Sequence, residues 1–251
     1  MKDWEKEINS AIDSLKGIAK DLHLEELAGT LKKQAESFAP EGIEFPFFRK
    51  GSEETPAENG WGWLNESKAI SVNQELAIQA PAHTDWFRNP IPTEGRLDAP
   101  LSNAPVFFRE VTGDFVFRAK VRPNFKTVYD ACALMVIQDD LHWTKLAFEK
   151  TDFGTTAAVC VVTDEVSDDA NGCDIAQDEI WLQLIRSGDV FAAHYSTDGK
   201  DFRMVRVFRL PLAQTVRVGL EAQSPAGNGG IRFFSDITLE KKAVENLRRG
   251  V

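Results

Sequence analysis

Residues 190–209, VFAAHYSTDGKDFRMVRVFR, decide the fold class of this chain. Two runs rich in β-branched and aromatic residues flank an Asp-Gly pair, which is the strongest short-range sequence signal for a β-hairpin. Similar runs recur from residue 75 to residue 239, separated by turn sequences: ELAIQA, DFVFRAKVRP, DACALMVIQ, HWTKLAFEK, TAAVCVVT, IWLQLIRS, VRVGLEAQ and IRFFSDITL. Because no helical pattern lies between these runs, the sequence predicts an all-β antiparallel sandwich or barrel.

The first forty residues have a different pattern. Apolar residues recur at spacings of three and four between residues 4 and 38, with Glu and Lys between them, which predicts α-helix. The polar stretch KGSEETPAENGWG (50–62) then precedes the β-rich part. We therefore expect a helical extension at 1–42, a linker or loop at 43–60, a β-sandwich domain at 61–240 and a C-terminal tail at 241–251. The helices are expected to pack on the sandwich, on a second copy of the chain or on a partner protein.

Composition excludes several classes of function. The net charge of −10 argues against nucleic acid and against an anionic membrane surface, since clustered Lys and Arg drive both kinds of binding. The chain has no apolar run of the roughly 18 residues that a membrane-spanning helix needs. Its first twenty residues carry charges throughout, unlike a signal peptide, and its three cysteines include no CxxC pair. We expect reduced thiols in a cytoplasmic protein.

An ordered set of motifs refines the fold prediction. The motifs are WGWLNE (61–66), APAHTDWF (80–87), VTGDFVFRAKV (111–121), YDACALMV (129–136), HWTKLAFE (142–149) and VVTDEVSDDANG (161–172), followed by the hairpin and VRVGLEAQSPAGNGGIRFFSDITL (216–239). Over residues 59–239 this set resembles an uncharacterised family that includes the regulation-of-enolase proteins. The resemblance implies a concanavalin-A-like lectin/glucanase jelly roll of two stacked sheets and a function related to sugars, without an accepted reaction.

Strand alternation indicates where a ligand would bind. Successive side chains leave opposite faces of a strand, and four strands each combine an apolar row with a row that is polar and aromatic. Flat aromatic faces beside charged and amide groups are what sugar recognition requires, whereas the alternative is a solvated sheet face without a ligand. The predicted contacts on the concave sheet face are Trp143 and Trp181 as stacking platforms, Lys145, Glu149, Gln183, His194, Glu221 and Gln223 as hydrogen-bonding groups, and Asp168 at the mouth.

The function favoured by this pattern is binding of a carbohydrate or a similar polyhydroxylated metabolite, and two alternatives stay open. A glycoside-acting enzyme would use Glu149 and Glu221 as its carboxylate pair, although no strand shows the carboxylate spacing of retaining glucanases of this fold. A regulatory interaction protein for metabolic enzymes would act through its helices and bind no small ligand.

Two loops contain residues that could bind a metal or organise a turn. SDDANGCD (167–174) places Asp168, Asp169, Asn171 and Asp174 close together, as a Ca²⁺ site would, although such clusters more often make turns. In AHTDW (82–86), His83 and Asp85 could bind a ligand or a metal, but we expect the Thr and Asp side chains to hold the loop by local hydrogen bonds. No cofactor is predicted.

Overall fold

The structure, a computed structural model, describes residues 60–72, 74–91 and 101–251. The predicted helical extension at 1–42 and the predicted linker at 43–60, apart from Gly60, lie outside the described residues. Within the described ranges, no helix is long and apolar enough to cross a membrane.

The described residues form two stacked seven-stranded sheets and a small two-stranded one. Sheet A contains, in spatial order, β1 (Trp61–Leu64), β6 (Val106–Thr112), β15 (Thr215–Gln223), β8 (Ala131–Ile137), β9 (His142–Lys150), β10 (Thr156–Asp164) and β11 (Val166–Asp174). Sheet B contains β14 (Arg203–Arg209), β13 (Val190–Ser196), β12 (Ile180–Ser187), β7 (Phe115–Arg122), β16 (Gly230–Glu240), β3 (Glu75–Ala80) and β2 (Ala69–Val72). The short strands β4 (Trp86–Phe87) and β5 (Leu101–Ser102) pair with each other. Because neighbouring strands are antiparallel throughout the described residues, the prediction of an all-β antiparallel sandwich is confirmed.

The main core lies between the two sheets and uses every second residue of each strand. On β15 the buried residues Val216, Val218, Leu220 and Ala222 belong to it, as their alternation predicts. Leu146 of β9 belongs to the same core, so the polar residues that alternate with it lie on the outer face of sheet A. The residues predicted to bind a ligand therefore lie on the outer faces of the two sheets, apart from Asp168 of β11, which points towards the interior.

The hairpin that decides the fold class forms as predicted between β13 and β14. Asp198 organises its turn, because one carboxylate oxygen accepts hydrogen bonds from the backbone N–H groups of Lys200 and Asp201 at 2.8 and 2.9 Å. These bonds lower the pKa of Asp198 to about 2. Gly199 follows with φ +72°, a conformation that glycine adopts readily.

The C-terminal tail lies on the outer face of sheet B. Val244 and Leu247 pack against a small apolar cluster that contains Ile185 of β12 and Ala192 of β13. Near the end of the tail, the backbone carbonyl of Gly250 accepts a hydrogen bond from a side chain of β12 at 3.3 Å. The tail therefore covers part of a sheet face that strand alternation alone would leave open to solvent.

Candidate functional site

Four of the predicted contact residues share the outer face of sheet A. They are Lys145 and Glu149 of β9, and Glu221 and Gln223 of β15. Gln223 pairs with Ala131 of β8, and Ala131 pairs with Glu149. Gln223, Ala131 and Glu149 therefore form one row across three adjacent strands. Strands β15 and β9 are far apart in sequence, and the strand β8 between them brings their polar rows together.

A chain of hydrogen bonds joins these residues to a loop. The Lys145 ammonium donates to Asp85 Oδ1 at 2.8 Å and to Gln223 Oε1 at 2.6 Å. The Gln223 amide then donates to the Tyr129 carbonyl at 2.8 Å and to Glu149 Oε2 at 3.3 Å. Because each of these bonds is directional, the chain holds Glu149 and Lys145 in place.

The loop that supplies Asp85 crosses the outer face of sheet A, and we call residues 81–88 the strap. At one end Ser224, just after β15, exchanges backbone hydrogen bonds with Thr84. At the other end the Arg88 N–H donates to Ser167 Oγ at 2.9 Å, and the Ser167 N–H donates to the Arg88 carbonyl at 3.0 Å. Because β8, β9 and β10 lie between these two anchors, the strap spans three strands and covers part of the face.

Trp143 lies in this covered part of the face. It is 0 % exposed, and its ring meets that of Trp86 of the strap edge-on, with 5.9 Å between centroids. The indole N–H of Trp143 donates to the Asp140 carbonyl at 3.2 Å, and that of Trp86 donates to the Ala104 carbonyl at 2.9 Å. The structure thus contradicts the expectation that Trp143 is a stacking platform, because the strap occupies the position that a ligand would need.

Burial and mutual charge set the ionisation of the polar residues on this face. Burial alone would lower the pKa of Lys145, but the carboxylates of Asp85, Glu221 and Glu149 raise it above its usual value. Burial raises the pKa of Glu149 and that of Glu221 to about 8, against the favourable charge of Lys145. Burial therefore favours the neutral form of both glutamates, and a neutral carboxyl can donate as well as accept a hydrogen bond.

Glu221 differs from its neighbours in having no hydrogen-bond partner. It is 0 % exposed, and neither of its carboxylate oxygens has a hydrogen-bond partner among the described residues. Most buried polar groups are hydrogen-bonded, because leaving one unpaired costs about 1–3 kcal/mol. The unpaired carboxyl of Glu221 close to the paired Lys145 makes this face the candidate site.

The part of the face beyond the strap opens to solvent at a group of residues that we call the acidic mouth: Tyr129, Glu149, Asp152 and Asp169. Tyr129 is 40 % exposed. Its pKa is raised by partial burial and by the negative charges of Asp152, Glu149 and Asp169. Asp169 is exposed on β11 and pairs with Val161, whose side chain lies on the same outer face.

Three predicted contacts lie on the other sheet. Trp181 and Gln183 belong to β12 and His194 belongs to β13, both in sheet B. The expectation that they share a groove with Glu221 is therefore wrong. Alternation assigns a polar face to each strand, but it does not say which sheet contains the strand.

Local packing occupies the faces of these side chains as well. The Lys120 ammonium lies 4.7 Å from the centroid of the Trp181 ring, and a Cβ added to Gly199 would lie 2.9 Å from Trp181 Cε2. Gln183 and His194 are buried near the tail, where Gln183 donates to the Gly250 carbonyl. Burial lowers the pKa of His194. Gln183 and His194 are therefore closed to a small ligand, and the half-buried Trp181 ring is partly covered by its neighbours.

Asp168 lies outside the mouth. It pairs with Val162, which faces the main core, so its side chain leaves β11 on the side opposite to that of Asp169. Its carboxylate accepts from the Arg206 guanidinium at 2.7 Å, which links β11 of sheet A to β14 of sheet B. Its predicted place at the mouth is therefore wrong, and Asp169 occupies the corresponding position.

The candidate cation site divides between two faces for the same reason. Asp169, Asn171 and Asp174 pair with residues of the outer apolar cluster, whereas Asp168 points inward. Across the described ranges, no group of three or more His, Cys, Asp or Glu side chains is arranged to hold a metal ion.

Sequence reasoning misses Tyr129 and the contact between Asp85 and Lys145, because strand alternation gives no information about loops. The expectation that Thr84 and Asp85 hold their loop by local bonds is confirmed, since Thr84 Oγ1 donates to the Pro81 carbonyl and Asp85 Oδ1 accepts from the Trp86 N–H, both at 2.7 Å. The same Asp85 oxygen also accepts from Lys145, a long-range contact that no local pattern reveals.

Comparison with known proteins gives the family. Residues 63–242 match the family described as "Protein of unknown function (DUF1349)". One relative, named "Regulation of enolase protein 1", from Saccharomyces cerevisiae (strain ATCC 204508 / S288c), is 28% identical over 181 residues, which cover 70% of this chain and 87% of the relative.

Solved structures with the same architecture support the sandwich fold. A functionally unknown protein from Saccharomyces cerevisiae superposes with a TM-score of 0.66 at 23% identity, covering 74% of this chain and 98% of that one. A protein named "Bifunctional GH43-CE Bacteroides eggerthii" has a TM-score of 0.57 at 15% identity, covering 78% of this chain and 25% of that one. At these identities the likeness concerns the fold alone.

Proposed function

We propose that this protein, which belongs to the DUF1349 family of proteins of unknown function, binds a carbohydrate or another polyhydroxylated metabolite at the acidic mouth of sheet A. The observation that carries the proposal is the buried chain of hydrogen bonds from Asp85 through Lys145 and Gln223 to Glu149. The series of hydrogen bonds ends beside the exposed Tyr129. Next to it lies the buried carboxyl of Glu221, which has no partner among the described residues.

The chemistry of the mouth suits a ligand with many hydroxyl groups. A hydroxyl both donates and accepts, and a protonated carboxyl at Glu149 can do the same, while Tyr129 offers an aromatic ring and a further hydroxyl. Small residues surround these groups, since the neighbours of Glu149 across the sheet are Ala131 and Ala157. An aromatic ring beside directional polar groups is the usual composition of a small-molecule site.

The fold comparisons support the same class of ligand. The Bacteroides eggerthii protein carries GH43 in its name, and a second similar structure is that of an engineered GH43 glycoside hydrolase, with a TM-score of 0.53 at 15% identity. The second match covers 76% of this chain and 42% of that enzyme. The likeness concerns part of each chain, so it supports a sugar-related surface and not a reaction.

Ionisation favours binding over hydrolysis at this face. Glycoside hydrolysis needs one carboxyl protonated and its partner ionised, which enzymes achieve by placing the two in different environments. Here burial raises the pKa of both Glu149 and Glu221 to about 8, so the two groups are shifted in the same direction. We therefore assign the pair to ligand recognition.

A thermal-shift screen followed by calorimetry tests the proposal. The wild type would be heated with a panel of monosaccharides, oligosaccharides and sugar alcohols. A ligand at a hundred times its Kd stabilises the folded state by about 2.7 kcal/mol, which corresponds to about 5–10 °C for a domain of this size. Glu149→Gln should reduce that shift, because it removes a carboxyl held at the opening, whereas Glu66→Gln, at an exposed position in the β1–β2 loop, should leave it unchanged.

A flat response of the wild type across the whole panel would refute ligand binding. It would favour the alternative of a regulatory interaction protein for metabolic enzymes, an alternative with which the relative's name, "Regulation of enolase protein 1", agrees in general terms. The cytoplasmic location remains part of the proposal, supported by the three free cysteines.

A further inference from the structure

The C-terminal tail is held on the outer face of sheet B at two places. Val244 and Leu247, both half-buried, pack on the small apolar cluster of β12 and β13. Further along the tail, Gly250 is buried against the same two strands, since a Cβ added to it would lie 2.5 Å from Gln183 Nε2 and 3.4 Å from the His194 ring. The second contact is made by polar groups, one of which can take up a proton.

The Gln183 amide has a fixed orientation. Its Oε1 accepts a hydrogen bond from Nε of Arg118 on β7, a group that can only donate, so the amide NH2 must face the other way. On that side the NH2 group donates to the Gly250 carbonyl at 3.3 Å and lies 3.5 Å from His194 Nδ1. Because an amide NH2 can only donate, Nδ1 must be the acceptor of this pair, and the imidazole is therefore neutral with its proton on Nε2.

The surroundings of His194 disfavour a second proton on its ring. The ring is buried, and its Nε2 has no hydrogen-bond partner among the described residues. Burial lowers the pKa of His194, and the charge of Arg118 acts in the same direction, although backbone groups of Arg248 and Leu247 partly oppose them. The other neighbouring groups are the uncharged Gln183 of β12 and Met204 of β14, and in the tail the exposed side chains of Arg248 and Arg249.

We propose that the C-terminal tail is a pH-dependent switch, docked on sheet B while His194 is neutral and released when His194 takes up a proton. Protonation would place an N–H group on Nδ1, directly opposite the Gln183 NH2 group, so that two donors would face each other. The amide cannot turn over, because its NH2 group would then meet Arg118. It must move away as a whole, which breaks its hydrogen bond to the Gly250 carbonyl.

Release of the tail would uncover the apolar cluster on which Val244 and Leu247 pack. This switch lies on sheet B, whereas the proposed ligand site lies on sheet A, so the inference is independent of the proposed function. A change of pH would therefore alter the accessible surface of sheet B without acting on the hydrogen bonds around Lys145.

The direction of the pH effect follows from proton linkage. The docked state holds the pKa of His194 below its ordinary value of 6.5, so the docked state binds the proton less tightly than the released state. Docking is therefore strongest above pH 6.5 and weakens as the pH falls from 6.5 towards the pKa of the docked state. Each unit that separates the two pKa values weakens docking about tenfold.

Hydrogen exchange of the full-length protein at pH 5, 6 and 7 tests the switch, with each rate divided by the intrinsic exchange rate at that pH. Protection across 241–251 should fall several-fold from pH 7 to pH 5, while that of the central strand β8 should not change. His194→Asn keeps an acceptor near the position of Nδ1 and cannot be protonated, so its tail should stay protected at pH 5. The matched control is His142→Asn, on β9 of the other sheet, which should respond as the wild type does. Constant protection of the wild-type tail, or an equal fall in His194→Asn, would overturn the inference.

A second measurement does not require substitution of His194. NMR titration of the imidazole Cε1–H signals should give His194 a pKa below 6.5 in the wild type. In Gly250→Ala, whose added Cβ displaces the tail, this pKa should move towards 6.5, whereas Gly113→Ala should keep the wild-type value. The same pKa for His194 in Gly250→Ala and in the wild type would show that docking and protonation are not linked, and the proposal would be wrong.

Discussion

Replacing Glu221 by Gln should make the protein more stable in alkaline solution. The side chain keeps its shape but loses its ionisable proton, so the variant never forms a buried, unpaired carboxylate. In the wild type, burial raises the pKa of this carboxyl in the folded state from 4.5 to about 8. Because the folded state binds the proton more tightly than the unfolded state, its contribution to stability is complete below pH 4.5 and is lost as the pH rises towards 8.

The size of this loss of stability follows from the interval between the pKa values of Glu221 in the unfolded and folded states. That interval spans about 3.5 pH units (8 minus 4.5). At about 1.36 kcal/mol for each unit, the wild type loses about 5 kcal/mol over the full range. Between pH 5 and pH 9 the free energy of unfolding of Glu221→Gln should therefore rise by about 4 kcal/mol relative to that of the wild type. Glu149 titrates in both proteins, so its contribution cancels in the difference to first order.

Urea unfolding followed by tryptophan fluorescence at pH 5, 6, 7, 8 and 9 would measure this difference. Glu66→Gln is the matched control, because Glu66 is exposed and its removal should leave the pH dependence unchanged. A difference between Glu221→Gln and the wild type that stays constant from pH 5 to pH 9 would show that Glu221 does not ionise in this range. The electrostatic account of the face would then be refuted.

Three further measurements test other parts of the structure. Lys145→Met should lower the free energy of unfolding at pH 7 by about 3–5 kcal/mol, since it leaves the Asp85 carboxylate without its cation, and a loss below about 1 kcal/mol in urea would contradict that pairing. Gly250→Ala should release the C-terminal tail, because its Cβ would lie 2.5 Å from Gln183 Nε2. Hydrogen exchange should then increase across 241–251. The control Gly113→Ala has a similar positive φ and open space around it, so it should not have this effect. A thiol reagent should label one cysteine per native chain, the exposed Cys173, and rapid labelling of all three would mean that the other two are not buried in the core.

The extent to which the site was predictable depended on whether its residues came from strands of one sheet. Lys145, Glu149, Glu221 and Gln223 were found because each alternates with core residues on its strand, and β8 joins the two strands in the structure. The same reasoning also selected Trp181, whose strand belongs to the other sheet. It selected Asp168 instead of Asp169, because a polar edge strand has no apolar row to define its inner side.

By itself, the sequence determined the class of fold, the hairpin at 190–209 and the inner and outer side of each core strand, because the spacing of apolar residues and the turn residues act over a few positions of the chain. Only the tertiary structure decided which strands became neighbours, that the strap covers Trp143, and that Asp85 reaches Lys145 across 60 positions of the sequence. These contacts join segments that are distant in the sequence, and the energy of a buried charge depends on every group packed around it. The local pattern of residues therefore predicts neither the contacts nor the energies.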